Sequence, residues 1–316
     1  MAEPIRSHAP RFLLLRGGAI GDFIATLPVL QALRAQWPGA RIDIWGYPHI
    51  AALAVAGGWA ETVVSLDRAE MARFFVPVPE FSEAQVAAVR SYDILFNYLH
   101  DPVGQVRSNL LLAGARQVVS GSPIIRHGHA IPFLLEPLRT LALYETDRVP
   151  ELDFSGEARA AARRRLRALG LRGRPVAVHP GSGSPAKNWP AARFLEILRH
   201  LRTGGHEAVV VLGEADAAEA AVLARELPEL PVLAGLSLVD LGAALAECRA
   251  FLGNDSGIAH LAAAAGLPVV VLFGPSDPET WAPRGRGGVT VLSAPERELE
   301  RLEAAAVREA LARILN

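Results

Sequence analysis

Three short stretches of this chain combine residue types that handle hydroxyl- and phosphate-bearing ligands. The first is "RGGAIGDFIATLP" (16–28), in which Gly17, Gly18 and Gly21 precede Asp22. Glycines let a ligand approach the backbone, and a carboxylate beside them can take a proton from a hydroxyl. The spacing is not the GxGxxG of dinucleotide binders, and Asp22 would repel a pyrophosphate placed against it. The structural alternative is that Asp22 caps the helix that follows, since Asp is favoured at N-caps.

The second stretch is "HPGSGSPAKNWP" (179–190). Lys187 is the only lysine among 32 cationic side chains. A compact, flexible ammonium suits a place where a planar guanidinium does not fit, such as the oxygens of a phosphate. The amides and hydroxyls of Ser182 and Ser184 would complete a phosphate cradle around it, although the GxxxxGK[ST] pattern is absent. The plainer role for Lys187 is a solvated surface charge. Trp189, Phe194 and Leu198 are expected to pack the following helix inward, with Pro190 in its first turn.

The third stretch, "GNDSGIAHL" (253–261), runs from a short strand into an Ala-rich helix. Amides at that helix start suit an anion. Asp255 can cap the helix or accept hydroxyls of a sugar, and His260 is either a buried, hydrogen-bonded histidine or a site residue. The chain has no DxD pair of the kind used by metal-dependent sugar transferases, no cluster with metal-ligand spacing, and no GxSxG elbow.

All three stretches follow apolar runs that read as buried parallel strands. The first half offers strands at 12–15, 42–45, 62–65, 94–97 and 117–120, with helices at 23–36, 83–90 and 105–113. The second half offers strands at 176–179, 208–212, 232–233, 250–252 and 269–273, with helices at 191–202, 215–226, 238–247 and 257–265. Continuous apolar strands separated by helices imply parallel sheets covered on both faces, and ligands then sit beyond the carboxyl ends of the strands. Two such series give two doubly wound domains, 1–150 and 151–295, with the break in the polar stretch 144–157. An amphipathic helix over 296–316 closes the chain.

Composition narrows the class. Half the residues are hydrophobic and the net charge is −1, so substantial cores are expected and no global field draws the chain to nucleic acid or membrane. A single cysteine, Cys248, excludes an internal disulfide and sits among apolar neighbours as a structural thiol. The opening residues have too short an apolar core for a signal peptide, ended by Arg16-Gly17-Gly18, and no apolar run reaches the roughly 18 residues of a membrane span.

With these loops in hand, the chain resembles the ADP-heptose:lipopolysaccharide heptosyltransferases, glycosyltransferase family 9. The residues that carry the likeness are 16–28, 179–190 and 253–261, followed by "GLPVVVLFGPSDPETWAP" (266–283). The resemblance implies a GT-B fold, with two Rossmann-like domains facing a cleft, an acceptor side in the first and the donor in the second. It also implies that the last helix packs back on the first domain. It implies inverting, metal-independent transfer of a heptose-like sugar from ADP-heptose to a lipid-linked, lipopolysaccharide-type saccharide. The donor is a substrate, and no cofactor is expected.

In that scheme Asp22 is the general base beside the acceptor loop Gly17, Gly18 and Gly21. Lys187, Ser182 and Ser184 meet the donor phosphates, Asp255 the donor sugar, and Ser256 and Gly257 the diphosphate, with His260 nearby and Glu214 at the ribose. The enzyme would be cytoplasmic, with room for peripheral contact at the inner membrane face. Many relatives read Lys-Arg-Trp-Pro where this chain has Lys187-Asn188-Trp189-Pro190, so one positive charge is missing. Arg126, His127 and His129 either meet an anionic acceptor or are solvated loop residues.

Other readings keep the chemistry and change the nucleotide sugar or acceptor, or change the class. An NAD-type oxidoreductase would need GxGxxG followed by an acidic residue about 20 positions on, which neither half supplies. A non-catalytic nucleotide-binding module would have no use for both Asp22 and Lys187.

Overall fold

The computed structural model of the chain describes residues 9–144 and 148–315; residues 1–8, residues 145–147 of the expected break and residue 316 of the expected last helix lie outside that range. Two compact units emerge. One holds the chain up to Gly18, Thr26–Arg126 and Ile131–Arg148, and the other Ala19–Ala25, His127–Ala130 and everything from Val149 onward.

The first unit is built on a parallel sheet of β1 (Arg11–Arg16), β2 (Arg41–Gly46), β3 (Thr62–Ser65), β4 (Ile94–Asn97) and β5 (Val118–Ser120), in the order β3-β2-β1-β4-β5. Leu13, Leu14 and Leu15 are all fully buried, as a central strand covered on both faces requires. Its helices are α1 (Ile20–Gln36), α2 (Pro48–Ala56), α3 (Glu83–Arg90), α4 (Gln105–Leu112) and α5 (Ala130–Leu135), of which the first turn of α1 clusters with the second unit. Helix α3 starts with a full capping box between Ser82 and Gln85.

The second unit has β6 (Val176–His179), β7 (Ala208–Leu212), β8 (Val232–Ala234), β9 (Ala250–Asn254), β10 (Val269–Phe273) and β11 (Val289–Ser293), in the order β11-β10-β9-β6-β7-β8. Counted within the unit this is the doubly wound order of dinucleotide-binding sheets, with the switch point between β6 and β9. Around it lie α6 (Gly156–Ala168), α7 (Ala191–Thr203), α8 (Ala217–Glu226), α9 (Leu238–Ala246), α10 (Gly257–Ala264), α11 (Pro278–Trp281) and α12 (Ala304–Leu315). Trp189, Phe194 and Leu198 are buried as expected, and the Trp189 indole N–H donates to the Leu302 carbonyl at 2.9 Å. Cys248 is buried too, its thiol pushed up to about 12 by burial.

One expectation needs correction. Residues 296–315 do not form one helix: Glu296 and Arg297 have φ of +52° and +63°, outside the α-helical region, so short 3₁₀ turns precede α12. Val307, Leu311 and Leu315 share an apolar cluster with Leu198 of α7, Leu252 of β9 and Val270 of β10, so the helix belongs to the second unit.

Candidate functional site

The loops after β6 and β9 flank the switch point and bring side chains from distant parts of the sequence together. Asn254, fully buried at the end of β9, holds both ends of the β6 loop. Its Nδ2 donates to the Pro180 carbonyl at 2.7 Å, and its Oδ1 accepts the Trp189 amide at 3.0 Å. The loop is also tied internally. The Ser182 hydroxyl donates to the Ser184 carbonyl and to Asn188 Oδ1, and Asn188 Nδ2 donates to Glu219 of α8 at 2.7 Å. Asn188 is therefore a loop tie. Pro190 occupies the N-cap of α7 rather than its first turn.

So braced, the loop presents Lys187, whose ammonium donates to Asp255 Oδ2 at 2.7 Å. Asp255 is almost fully buried and also accepts the Ser276 hydroxyl on the same oxygen at 2.5 Å. Asp255 is not the cap of α10. Ser256 is, its hydroxyl accepting the Ala259 amide, which leaves the Asp255 carboxylate for other partners.

Asp22 is not an N-cap either. The Ala19 carbonyl accepts the first helical bond of α1, from Phe23, which makes Ala19 the cap; Asp22 sits in the third helical position and its Oδ2 accepts the Ala19 amide at 2.9 Å. That is the reach-back half of a capping box. The first turn of α1 lies close on α10. A Cβ on Gly257 would stand 2.6 Å from Ile20 Cβ, and one on Gly21 would stand 3.1 Å from the His260 ring. Gly257 thus permits the close approach of the two helices, whose first turns bring Asp22 and Asp255 to one cavity. Gly18 has φ of +94°, which only glycine adopts without strain, and Gly17 lies near Tyr47 and Leu99 in the first unit.

These groups line a cavity of about 450 Å³ within the second unit: Gly21, Asp22, Ser184, Lys187, Asp255, Ser256, Gly257 and His260, joined by Ser276, Asp277 and Trp281. His260 is pushed down to about 4, chiefly by burial; Asp255 and Asp22 oppose that shift, while His129 and Lys187 add to it. It is neutral at pH 7. A second cavity, of about 360 Å³, is lined mainly by apolar residues such as Leu171, Leu198, Leu227 and Leu230 and holds none of the candidate catalytic or ligand-binding residues.

Not every expected residue reaches the cavity. Ser182 is buried in its own loop network, and Glu214 is exposed in the turn after β7. Arg126 and His127 are exposed, whereas His129 bonds the Ala282 carbonyl at 2.9 Å and is pushed down mainly by burial. Among the described residues, no group of three or more His, Cys, Asp or Glu is arranged to hold a metal ion, and no helix is long and apolar enough to cross a membrane. Sequence reasoning alone misses Ser276, Asp277 and Trp281 as members of the cavity lining. The one available signal was "SDP" after a strand, and Asp277 does cap α11, accepting the Glu279 amide and the Thr280 hydroxyl.

Paired doubly wound units with a site of this kind place the protein among the GT-B glycosyltransferases, and solved structures share the architecture. A family 9 glycosyltransferase from Veillonella parvula matches 98% of this chain and 98% of its own with a TM-score of 0.80 at 20% identity. The Escherichia coli ADP-heptose lipopolysaccharide heptosyltransferase II matches 96% and 98%, with a TM-score of 0.76 at 20% identity. The chain belongs to glycosyltransferase family 9 (heptosyltransferase), whose sequence profile matches residues 123–310. Among curated relatives, lipopolysaccharide heptosyltransferase 3 of Escherichia coli (strain K12) is 25% identical over 288 residues, 83% of this chain and 82% of its own. Lipopolysaccharide heptosyltransferase 2 of that strain is 39% identical over 106 residues, 31% of this chain and 30% of its own.

Proposed function

We propose that the protein transfers a heptose from ADP-heptose to a lipopolysaccharide-type, lipid-linked saccharide, with inversion at the anomeric carbon and without a metal ion. The observation that carries this reading is the gathering of Asp22, Lys187 and Asp255 around one cavity. Its relatives are named as lipopolysaccharide heptosyltransferases, and such an acceptor agrees with a cytoplasmic enzyme working at the inner membrane face.

In this mechanism Asp22 takes the proton of the acceptor hydroxyl as its oxygen attacks the anomeric carbon. The bond to the diphosphate oxygen breaks, and ADP leaves with the electron pair. Lys187 and the first amides of α10, at Ser256 and Gly257, face the charge that develops on the leaving group. Asp255 accepts hydroxyls of the donor sugar, and the neutral His260 serves as a hydrogen-bond partner beside it. Ser184 supports the phosphate from the β6 loop, and Ser182 fixes that loop's shape. Glu214 stands at the end of the unit's second strand, where a carboxylate meets ribose hydroxyls in dinucleotide folds.

The test is ADP release from ADP-heptose, in the presence of a truncated lipopolysaccharide acceptor and with EDTA. Release only from UDP- or GDP-sugars would overturn the donor assignment, abolition by EDTA the metal independence, and retained anomeric configuration the single displacement.

A further inference from the structure

We infer that Ser276 is a positioning residue for sugar transfer, holding Asp255 in place when Lys187 turns to the donor diphosphate; this rests on the function proposed above. Two hydrogen bonds end on Asp255 Oδ2, one from Lys187 Nζ at 2.7 Å and one from Ser276 Oγ at 2.5 Å. The two donors differ in what a ligand does to them. The lysine stem is flexible, its side chain is 36% exposed, and a diphosphate carries more charge than the carboxylate it now holds. A donor entering the cavity therefore competes for the ammonium.

Ser276 has no such freedom. Strands β9 and β10 are neighbours, and the Asp255 amide donates to the Leu272 carbonyl at 2.9 Å, which sets the serine's loop beside the aspartate. On one side of Ser276 the chain is packed at Gly274, where a Cβ would lie 2.9 Å from Leu299. On the other side Asp277 is fixed as the cap of α11. With Oδ2 held by this short, rigid donor, the carboxylate keeps its orientation and Oδ1 stays directed to the sugar after the lysine has moved. Without it, a nearly buried carboxylate would be free to rotate toward Lys187 or away from the sugar at the moment of transfer.

The experiment compares wild type, Ser276→Ala and Ser276→Thr for melting temperature, ADP affinity by calorimetry, and kcat and KM for ADP-heptose with a truncated lipopolysaccharide acceptor. Ser276→Ala is expected to lower kcat about tenfold to hundredfold, the size of a hydrogen bond to a charged group. ADP affinity should stay within about threefold, because Lys187 is intact and ADP has no sugar for Asp255 to hold. Ser276→Thr, which keeps the hydroxyl, should restore most of kcat. Full kcat in Ser276→Ala would overturn the inference. So would parallel losses of kcat, ADP affinity and melting temperature, which mark a purely structural serine, or a folded Ser276→Thr as slow as the alanine variant. A wild type that releases no ADP from ADP-heptose would overturn the function itself and the inference with it, an outcome distinct from the other three.

Discussion

The fourth strand in the winding of each unit ends on a buried asparagine followed closely by an aspartate, and the two halves use the pair differently. In the first unit Asn97, at the end of β4, serves its own loop, with Oδ1 accepting the Leu99 amide and Nδ2 donating to Asp101. Asp101 gives both oxygens to the start of α4, accepting the Val106 amide at 3.0 Å and the Arg107 amide at 2.9 Å. In the second unit Asn254 reaches across to the β6 loop, and Ser256 takes over the cap of α10. Asp255 is thereby released from helix duty and meets a lysine and a serine in a cavity. A carboxylate spent on backbone amides is structure; one relieved of that work by a neighbouring serine is available for a ligand. Asp22 stands between these cases, with one oxygen on the Ala19 amide and a place in the cavity lining.

The sharpest way to break the comparison is Asp22→Asn. Asparagine can still accept the Ala19 amide but cannot take a proton. Turnover should fall roughly 10²–10⁴-fold, while melting temperature and ADP affinity hardly move. Near-normal turnover would class Asp22 with Asp101 as a structural carboxylate. The next effect is on binding. Lys187→Ala should weaken ADP affinity about ten- to hundredfold, the loss of one charge-assisted hydrogen bond. Lys187→Arg should recover only part of it, because a planar fork does not reproduce a point charge; full recovery would make the lone lysine an accident of composition.

A third prediction concerns His260. Its pKa is pushed down to about 4 from an ordinary 6.5, mainly by burial. The unfolded chain therefore binds this proton first as pH falls, so the stability tied to the neutral ring is complete above pH 6.5 and is lost between about 6.5 and 4, by up to about 1.4 kcal/mol per pH unit. Thermal unfolding of wild type and His260→Gln across that range should show the wild type losing stability faster. Parallel curves would mean that His260 keeps an ordinary pKa in the folded protein.

Much of this contrast was open to sequence reading, and its limits are physical. Strands such as β10 are apolar throughout and announce themselves, whereas β11 is a half-buried edge strand after a Gly-Arg run and reads as loop. Helix α2 begins at Pro48, directly after β2, and its apolar residues lack a clear polar face. Asp22 and Asp255 stood out as carboxylates in the turns that follow apolar strands, and Lys187 as the only lysine of the chain. Their supports did not, since each is defined by a distant partner: Ser276 lies 21 residues from Asp255, Asn188 is 31 from Glu219, and Asn254 is 65 from Trp189. No local pattern encodes such pairs. The choice between capping and ligand roles stayed open for a related reason, because Asp, Ser and even Ala can occupy a helix start and only the hydrogen bonds say which does.

The smallest predicted effect completes the comparison from the other side. Asp101→Ala removes the acceptor for two amides of α4 and for the Asn97 side chain. It should cost about 1 kcal/mol, the usual value of a cap, read as a fall of a few degrees in melting temperature. Helix α4 in turn holds the segment after β3, since Asn109 donates to the Phe74 and Val76 carbonyls, so the loss should also raise proteolytic cleavage near those residues. Asp101→Asn should restore only part of the stability, because its amide oxygen can accept one of the two helix amides while its NH2 group cannot accept the other. Neither change should alter turnover per folded molecule. If Asp101→Ala abolished turnover at an unchanged melting temperature, the first unit's carboxylate would be doing chemistry too, and the distinction between a spent and a released aspartate would fall.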